Sequence, residues 1–256
     1  MHLRFLGTSA AMPSAHRSNV SFVLWADRPV LVECGPTVPW QLARLGFDHR
    51  EISEVFISHV HGDHSLGLPM LLTLGQLDGR DWPLRVYCPA SAVERLRTIT
   101  TACYPSLATI VLERVQWVGL PERDGFELQV ADGLKVTTAR GQHSVPELAY
   151  RFERLGRALV YSGDTGPTDS VRDLARGATL LLHEATWSET IDSMATPDHT
   201  SARQAGELAA GAAVERLGLV HLHKNYLGRE AELRAEAGVG FGGPILVPDD
   251  GDELEV

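Results

Sequence analysis

Four side chains that commonly bind metal ions lie within the segment HVHGDH at positions 59–64: His59, His61, Asp63 and His64. The segment follows a short β-branched stretch at 54–58 that predicts a strand. Two histidines separated by one residue can converge on one metal ion from a strand-end loop, and the following aspartate and histidine can face a second ion. Because zinc favours imidazole and carboxylate ligands, and open positions leave room for water, the segment predicts a two-metal hydrolytic site.

This segment resembles the HxHxDH signature of the metallo-β-lactamase superfamily, and three later residues agree with the order of that family's motifs. His143 lies in GQHSVP, Asp164 in YSGDTG and His221 in LVHLH, each at the end of a predicted strand. The resemblance implies that His143 completes the first metal site, that Asp164 bridges both ions and that His221 is the last ligand. A carboxylate suits bridging because it offers two oxygens and neutralises part of the repulsion between two cations.

Within the superfamily, the chain resembles the ribonuclease Z-like branch. The start FLGTSA at 5–10 and the segments HEAT at 183–186 and DHTSA at 198–202 are similar to motifs of that branch. By this resemblance, Glu184 and His199 form a pair outside the metal ligands, and His199 donates a proton to the leaving group. A purely local hydrogen-bonding role stays open for each of these two residues.

Two departures from the branch bear on substrate and ligands. Its tRNA-processing members carry a long protruding arm between the third histidine and the bridging aspartate, whereas His143 and Asp164 are only 21 positions apart here. That length suffices for two strands and a turn. The family's last motif has a serine where this chain has His223, so His223 competes with His221 as ligand. The strand predicted at 217–220 ends next to His221 and favours it.

The second position of the hexad bears on the metal. Oxygen-reducing diiron relatives have a carboxylate there because oxygen ligands suit iron redox chemistry, whereas His61 supplies an imidazole. The expected cofactor is therefore two Zn²⁺ ions, with Mn²⁺ or Fe²⁺ occupancy left open.

Composition limits the partners and the location. The 256 residues carry a formal net charge of −10 and contain no lysine- or arginine-rich segment, which disfavours a long nucleic acid. No apolar run is long enough to cross a bilayer and the start lacks a signal-like pattern, so we expect a cytoplasmic protein without a membrane partner. The three cysteines form no CxxC pair, which indicates neither a disulfide framework nor a thiolate zinc site. Among the three cysteines, Cys34 is of interest because it ends an apolar run that should point at the metal site.

These observations predict a metal-dependent hydrolase, with a phosphodiesterase acting on a small phosphodiester such as a cyclic nucleotide as the favoured function. In the expected mechanism a hydroxide between the two ions attacks, Asp63 orients it as base, and His199, oriented by Glu184, protonates the departing oxygen. Three alternatives stay open: a hydrolase of esters, thioesters or lactones, a tRNA 3′-processing endonuclease, and a non-catalytic metal-binding module. His16 and Arg17 are candidates for binding a phosphate over the metals.

Short apolar runs alternate with helical periodicity around these motifs. Strands are predicted at 2–6, 20–25, 29–33, 54–58, 84–87, 158–161, 179–182 and 214–222, and helices at 37–45, 65–77, 91–101, 201–212 and 229–237. The stretch 111–152 predicts several strands, with turns at 124–125 and 132–133.

No repeat or linker divides the chain, so we predict one α/β domain over residues 1–256. The resemblance implies the metallo-β-lactamase αββα sandwich, in which two mixed β-sheets are flanked by helices. The Asp-Gly turn in ILVPDDGDELEV predicts a closing hairpin. A homodimer through residues 66–77 stays open.

Overall fold

Two mixed β-sheets of seven strands each form the centre of the computed structural model, which describes residues 1–81, 83–105, 113–130, 133–192 and 195–256. The strands of the first sheet, in spatial order, are β14 (Glu253–Glu255), β1 (His2–Gly7), β2 (Ser21–Trp25), β3 (Pro29–Val32), β4 (Glu54–Phe56), β5 (Leu84–Pro89) and β6 (Val115–Leu120). Those of the second sheet are β13 (Ile245–Leu246), β12 (Leu217–Val220), β11 (Leu180–Glu184), β10 (Arg157–Tyr161), β9 (Leu148–Arg154), β8 (Leu134–Arg140) and β7 (Phe126–Val130).

Helices cover the outer faces of both sheets. Those on the first sheet side are α1 (Val38–Arg44), α2 (Gly62–Ser65), α3 (Leu68–Leu77) and α4 (Val93–Cys103), and those on the second are α5 (Asp169–Ala175), α6 (Ala202–Gly211) and α7 (Glu230–Gly238). This arrangement confirms the predicted αββα sandwich. Within the described ranges, no helix is both long and apolar enough to span a membrane.

Each sheet buries both of its faces. On β11, Leu180 and Leu182 pack between the two sheets, whereas Leu181 packs beneath the helices of the second layer. On β2, Phe22 faces Tyr161 of the opposite sheet with ring centroids 5.5 Å apart. Strands buried on both faces appear in a sequence as continuous apolar runs rather than as an alternation of apolar and polar residues. These runs made the strands predictable from the sequence.

An aromatic cluster around Phe56 joins the sheets directly beneath the HVHGDH segment. Phe56 stacks on Tyr87 at 4.4 Å and meets Tyr150 and Phe152 edge-on at 5.3 and 5.2 Å. The Tyr150 hydroxyl also donates a hydrogen bond of 2.8 Å to the carbonyl of Ile57. Because β4 ends at Phe56, these contacts hold the start of the metal-ligand segment against the second sheet.

The predicted closing hairpin is wrong. β13 pairs in parallel with β12 in the second sheet, whereas β14 pairs antiparallel with β1 in the first. The Asp-Gly turn between them docks on β1 instead, since the N–H of Gly251 donates to the carbonyl of Phe5 and the N–H of Phe5 donates to Asp252. The final segment therefore crosses from one sheet to the other.

Most other predicted elements are present with shifted ends. The helix predicted at 65–77 is divided, because α2 ends at Ser65 and α3 begins at Leu68. Pro69 has no N–H to donate to the carbonyl of Ser65, so one continuous helix cannot form. The strand predicted at 214–222 spans only Leu217–Val220. The turn predicted at 132–133 lies partly outside the described residues, as do positions 111–112 at the start of the stretch predicted to contain several strands.

Helices α6 and α7 approach most closely at Gly206. A Cβ atom at this position would lie 2.1 Å from the carbonyl oxygen of Ala237. α6 begins just after the DHTS segment, where Ser201 and Gln204 form a capping box. The close approach therefore fixes the helix that follows His199.

Gly206→Ala should lower the free energy of unfolding by about 2–3 kcal/mol, because the added methyl group forces the two helices apart. Denaturant unfolding followed by circular dichroism measures the loss. Gly211→Ala, in the same helix, is the matched control, since its methyl group meets only the Arg172 side chain at 3.1 Å. It should be neutral or slightly stabilising, and equal losses in both variants would contradict the close packing.

Candidate metal centre

The predicted ligands converge at the carboxyl-terminal edge of the two sheets. The HVHGDH segment follows β4, His143 follows β8, Asp164 follows β10 and His221 follows β12. All seven side chains fall into two groups whose donor atoms lie within 4.8 Å of one another. The first group is His59, His61 and His143, and the second is Asp63, His64, Asp164 and His221.

The first group has the spacing of ligands around one small cation. Nε2 of His59 lies 2.9 Å from Nδ1 of His61, which lies 3.1 Å from Nε2 of His143. Tetrahedral ligands about 2.0–2.1 Å from a zinc ion are separated from one another by about 3.3 Å. Three imidazole nitrogens at these distances fit one ion of that kind.

The second group combines two imidazoles with two carboxylates. Nε2 of His64 lies 3.2 Å from Oδ2 of Asp63 and 3.3 Å from Oδ2 of Asp164. Nε2 of His221 lies 3.4 Å from Oδ2 of Asp63 and 3.3 Å from Oδ1 of Asp164. Oδ2 of Asp164 is also 3.8 Å from Nε2 of His59, so this carboxylate lies between the groups, where a bridging ligand is needed.

Hydrogen bonds to the far ring nitrogens orient two of the histidines. Nδ1 of His143 donates to the carbonyl of Asp198 at 3.1 Å, and Nδ1 of His221 donates to the Thr186 hydroxyl at 2.7 Å. The Thr186 hydroxyl in turn donates to the carbonyl of His221. With the proton held on Nδ1, the lone pair of Nε2 faces the cluster, as metal-binding histidines require.

Glu33 belongs to the site, although the sequence analysis missed it. Its fully buried carboxylate lies 3.4 Å from Nδ1 of His64 and accepts a hydrogen bond from the N–H of Ser58 at 3.2 Å. A signal existed, because Glu33 ends an apolar strand as the ligands do. Cys34 instead packs in the core beneath α1 and α3, where burial raises the pKa of its thiol above the usual range.

Two non-glycine residues of the site have left-handed backbone conformations. The φ angle is 62° at Glu33 and 54° at His221. Such conformations cost free energy and persist only where neighbouring groups fix them. Here the N–H of Glu33 donates to the carbonyl of Phe56 at 2.8 Å, and the N–H of Leu222 donates to Thr8 at 3.0 Å. This backbone strain occurs at the positions where the chain leaves the end of a strand and bends towards the metal cluster.

The charges of the buried side chains in the cluster favour cations at its centre. Burial lowers the pKa of His64, but the carboxylates of Asp164 and Glu33 outweigh burial and raise that pKa well above its usual range. Burial raises the pKa of Asp164, but the charges of His221 and His64 outweigh it and lower that pKa. Both ring nitrogens of His64 and Oδ1 of Asp164 are buried without a hydrogen-bond partner among the described residues. The side chains present therefore fit two divalent cations.

The structure also brings Glu184 and His199 together. The fully buried carboxylate of Glu184 accepts hydrogen bonds from Nδ1 of His199 at 2.9 Å and from the N–H groups of Thr165 and Thr200 at 2.7 and 3.2 Å. Burial lowers the pKa of His199, but the hydrogen bond and charge of Glu184 outweigh it and raise that pKa to about 9. The His199 ring stacks on that of His221 at 5.8 Å, so it borders the metal groups.

A cleft of about 350 Å³ opens over the two metal groups. Besides the ligands and His199, its lining includes Ala10, Ala11, Met12, Ser144, Thr186, Thr196, Asp198 and His223. His223 is at the rim, where its Nδ1 accepts a hydrogen bond from the N–H of Asn225 at 3.4 Å. His221, rather than His223, belongs to the second group.

Arg17 does not reach over the metal groups. Its guanidinium is 4% exposed, donates to the carbonyl of Pro248 at 2.7 Å and forms ion pairs with Glu230 and Asp249 at 3.0 and 2.7 Å. Arg17 is therefore ruled out as a candidate for binding a phosphate over the metals, because these acceptors already occupy its side chain. His16 is exposed and is not among the residues that line the cleft.

Comparison with known proteins identifies the family. The Beta-lactamase superfamily domain matches residues 28–222. A protein named Ribonuclease Z from Natronomonas pharaonis is 32% identical, over an alignment that covers 100% of this chain and 98% of that protein. The chain belongs to the metallo-β-lactamase superfamily, in its ribonuclease Z-like branch.

Solved structures share the fold. The metallo-beta-lactamase fold protein YhfI from Bacillus subtilis superposes with a TM-score of 0.84 at 23% identity, covering 99% of each chain. The short form of human tRNase Z superposes with a TM-score of 0.79 at 24% identity, covering 100% of this chain and 99% of that one. The predicted fold and family are thus confirmed, and membership makes the protein a metallo-β-lactamase hydrolase. The individual ligand roles stay predictions.

Metal removal tests the ligand roles. Adding Zn²⁺ back to EDTA-treated wild-type protein should raise its thermal unfolding midpoint, because the ions bind only the folded cluster. Asp164→Ala removes the carboxylate between the groups, so it should bind fewer than two ions and show a smaller rise. Elemental analysis and calorimetry measure both effects.

Asp169→Ala is the control for this experiment, because the Asp169 side chain on α5 is 83% exposed and lies outside both metal groups. It should bind metal as the wild-type protein does. Wild-type metal content in Asp164→Ala would contradict a bridging role for Asp164.

Proposed function

We propose that this protein is a metal-dependent phosphodiesterase that acts on a small phosphodiester, such as a cyclic nucleotide. The choice of a small substrate rests on the structure of the segment between His143 and Asp164. It is a plain hairpin, in which β9 and β10 pair from Arg154 opposite Arg157 onward as part of the second sheet. The hairpin leaves no chain at this point for an arm that could grip a long RNA.

Two further observations support a substrate held in the cleft alone. The alignment with the Natronomonas protein runs over 304 positions, more than the 256 residues of this chain, so the relative has residues without a counterpart here. The net charge of −10 also disfavours contacts to many phosphates. A cleft of about 350 Å³ is within the size range of small-molecule sites.

The phosphodiester class is supported by the relatives' names. Ribonuclease Z of Natronomonas pharaonis and Ribonuclease BN of Escherichia coli, the latter 29% identical over 88% of this chain, are named for cleaving RNA, whose linkages are phosphodiesters. The cluster of imidazoles and carboxylates in this chain suits the same bond in a smaller molecule.

Seven residues would hold two cations in this enzyme. His59, His61 and His143 would bind one and Asp63, His64 and His221 the other, with the Asp164 carboxylate between the two groups. When bound, two divalent cations polarise phosphoryl oxygens and make water a nucleophile near neutral pH.

The chain's own residues position the reactants and move the protons. Asp63 lines the cleft with a side chain that is 12% exposed, and it orients the attacking water and accepts its proton. As the new bond from water oxygen to phosphorus forms, the bond to the leaving oxygen breaks, and His199 transfers a proton to that oxygen. Glu184 holds His199 in place. The products are a phosphomonoester and an alcohol.

An assay of the metal-loaded protein tests this proposal. The substrates are bis-p-nitrophenyl phosphate, a panel of cyclic nucleotides, p-nitrophenyl esters, thioesters and lactones, and a precursor tRNA. We expect metal-dependent cleavage of the diesters, lost in Asp63→Ala under conditions where that variant still binds metal.

The other outcomes each select an alternative. Turnover of carbon esters, thioesters or lactones alone would overturn the phosphodiester class. Efficient cleavage of the precursor tRNA without turnover of small diesters would identify a tRNA 3′-processing endonuclease, the second candidate that the relatives' names favour. No turnover of any of these substrates with two metal ions bound would overturn the proposed activity on small diesters and indicate a hydrolase of narrower specificity.

His199→Ala tests the proton donor. The variant should lose about 10²–10⁴-fold in kcat on diesters with alkoxide leaving groups, because these need a proton to depart. It should lose far less on p-nitrophenyl diesters, since p-nitrophenolate leaves without one. The slope of log kcat against leaving-group pKa measures the difference.

The exposed histidine in His16→Ala serves as the control and should leave this slope unchanged. A loss of equal size across the whole series would show that His199 does not act as the acid.

A further inference from the structure

The loop of residues 10–12, which follows β1, forms one wall of the cleft and takes no part in binding metal or moving protons. Ala11 and Met12 are exposed there, and Met12 retains 51% of its accessible surface. Met12 is therefore a large apolar side chain at the rim of a site that is otherwise rich in imidazole, carboxylate and hydroxyl groups.

Hydrogen bonds fix this loop in place. The side-chain amide of Asn19 donates to the carbonyls of residues 10 and 11 at 3.0 and 3.3 Å. The Ser9 hydroxyl lies 3.3 Å from the carbonyl of Met12 and 3.2 Å from that of Leu222, and its single proton serves one of them at a time. The N–H of Ala10 donates to the carbonyl of Leu222 at 2.9 Å, next to the proposed ligand His221. The wall is thus rigidly tied to the metal-binding edge.

These bonds determine what the wall offers a ligand. The carbonyls of residues 10 and 11 already accept hydrogen bonds from Asn19, so the side chains of the loop, methyl groups and a thioether, give the wall its apolar contact surface. The remaining lining is polar and includes Ser144, Thr196 and Asp198. The cleft is therefore asymmetric, with an apolar side and a polar side.

We propose that residues 10–12 form a platform for an aromatic ring of the substrate, with the Met12 thioether as the main contact. This inference rests on the proposed phosphodiesterase function and narrows the substrate to nucleoside or aryl phosphodiesters. Methionine is suited to such a role because its sulfur is polarisable and its unbranched chain adapts to flat rings. A rigid loop with an adaptable side chain holds the ring without a matching hydrogen-bond pattern.

Within this proposal the ring belongs to the part of the substrate that stays on phosphorus. His199 must lie beside the leaving oxygen to protonate it, and Glu184 on β11 holds His199. The platform is held by Leu222 after β12 and Asn19 before β2, on segments other than the one that carries His199. The substituent that stays on phosphorus is therefore the one that we place on the platform.

Two substrates with the same leaving group separate these roles. Bis-p-nitrophenyl phosphate retains an aryl group on phosphorus after cleavage, whereas methyl p-nitrophenyl phosphate retains only a methyl group. Met12→Ala in the metal-loaded protein should raise KM for the first about five- to tenfold, with little change in kcat, because a sulfur–aromatic contact and buried apolar area are lost. KM for the methyl diester should stay at the wild-type value.

Met12→Leu restores an apolar side chain of similar size and should recover most of the affinity. Met70→Ala is the matched control, since Met70 on α3 is also exposed, at 42%, but does not line the cleft. Equal thermal unfolding midpoints for all variants would exclude a folding defect as the cause.

The remaining outcomes overturn the inference. An equal rise in KM for both diesters would place Met12 against the leaving group, and unchanged values for both would remove the platform. Either result leaves the phosphodiesterase function standing. If the metal-loaded wild-type protein cleaves neither these two diesters nor the cyclic nucleotides, the proposed function itself fails and the inference fails with it.

Discussion

The arrangement of the site depends on positive charge between donor atoms that would otherwise repel one another. Nε2 of His59 and Nδ1 of His61 lie 2.9 Å apart, a distance at which two lone pairs need a proton or a cation between them. The second group adds two carboxylates to two imidazoles in a buried position. Because these donor atoms meet only at the folded edge, metal binding would be coupled to the ordering of the four loops that carry them.

The rest of the molecule serves to keep this edge in place. Parallel strands end at a common edge, so side chains that follow β4, β10 and β12 meet although they are far apart in sequence. Phe56 joins the two sheets just beneath the HVHGDH loop. The Glu184 carboxylate accepts hydrogen bonds from backbone N–H groups of two loops of the second sheet. Strain at His221 is tolerated because neighbouring backbone hydrogen bonds fix it.

Local patterns in the sequence predicted the parts that depend on local chemistry. The HVHGDH segment and the doubly buried strands are such parts, and the αββα sandwich followed from motif order by resemblance. Contacts between distant segments were not predictable in this way. Arg17 was misassigned because its partners at Pro248 and Asp249 are more than two hundred positions away, and Glu33 was missed because a lone carboxylate carries no motif. The closing hairpin failed for the same reason, since the turn docks on β1 rather than closing on itself.

That crossing of the last segment has a consequence for the order of events during synthesis. β1 is made before β14, and its outer edge is covered only when β14 pairs with it, His2 opposite Glu255. Until then the nascent chain exposes an unpaired strand edge, the feature that most readily recruits other chains. The candidate ligands extend from His59 to His221, so the cluster also forms only after a long stretch of chain has been made. Covering the edge of β1 and completing the cluster therefore both wait for segments made much later than β1.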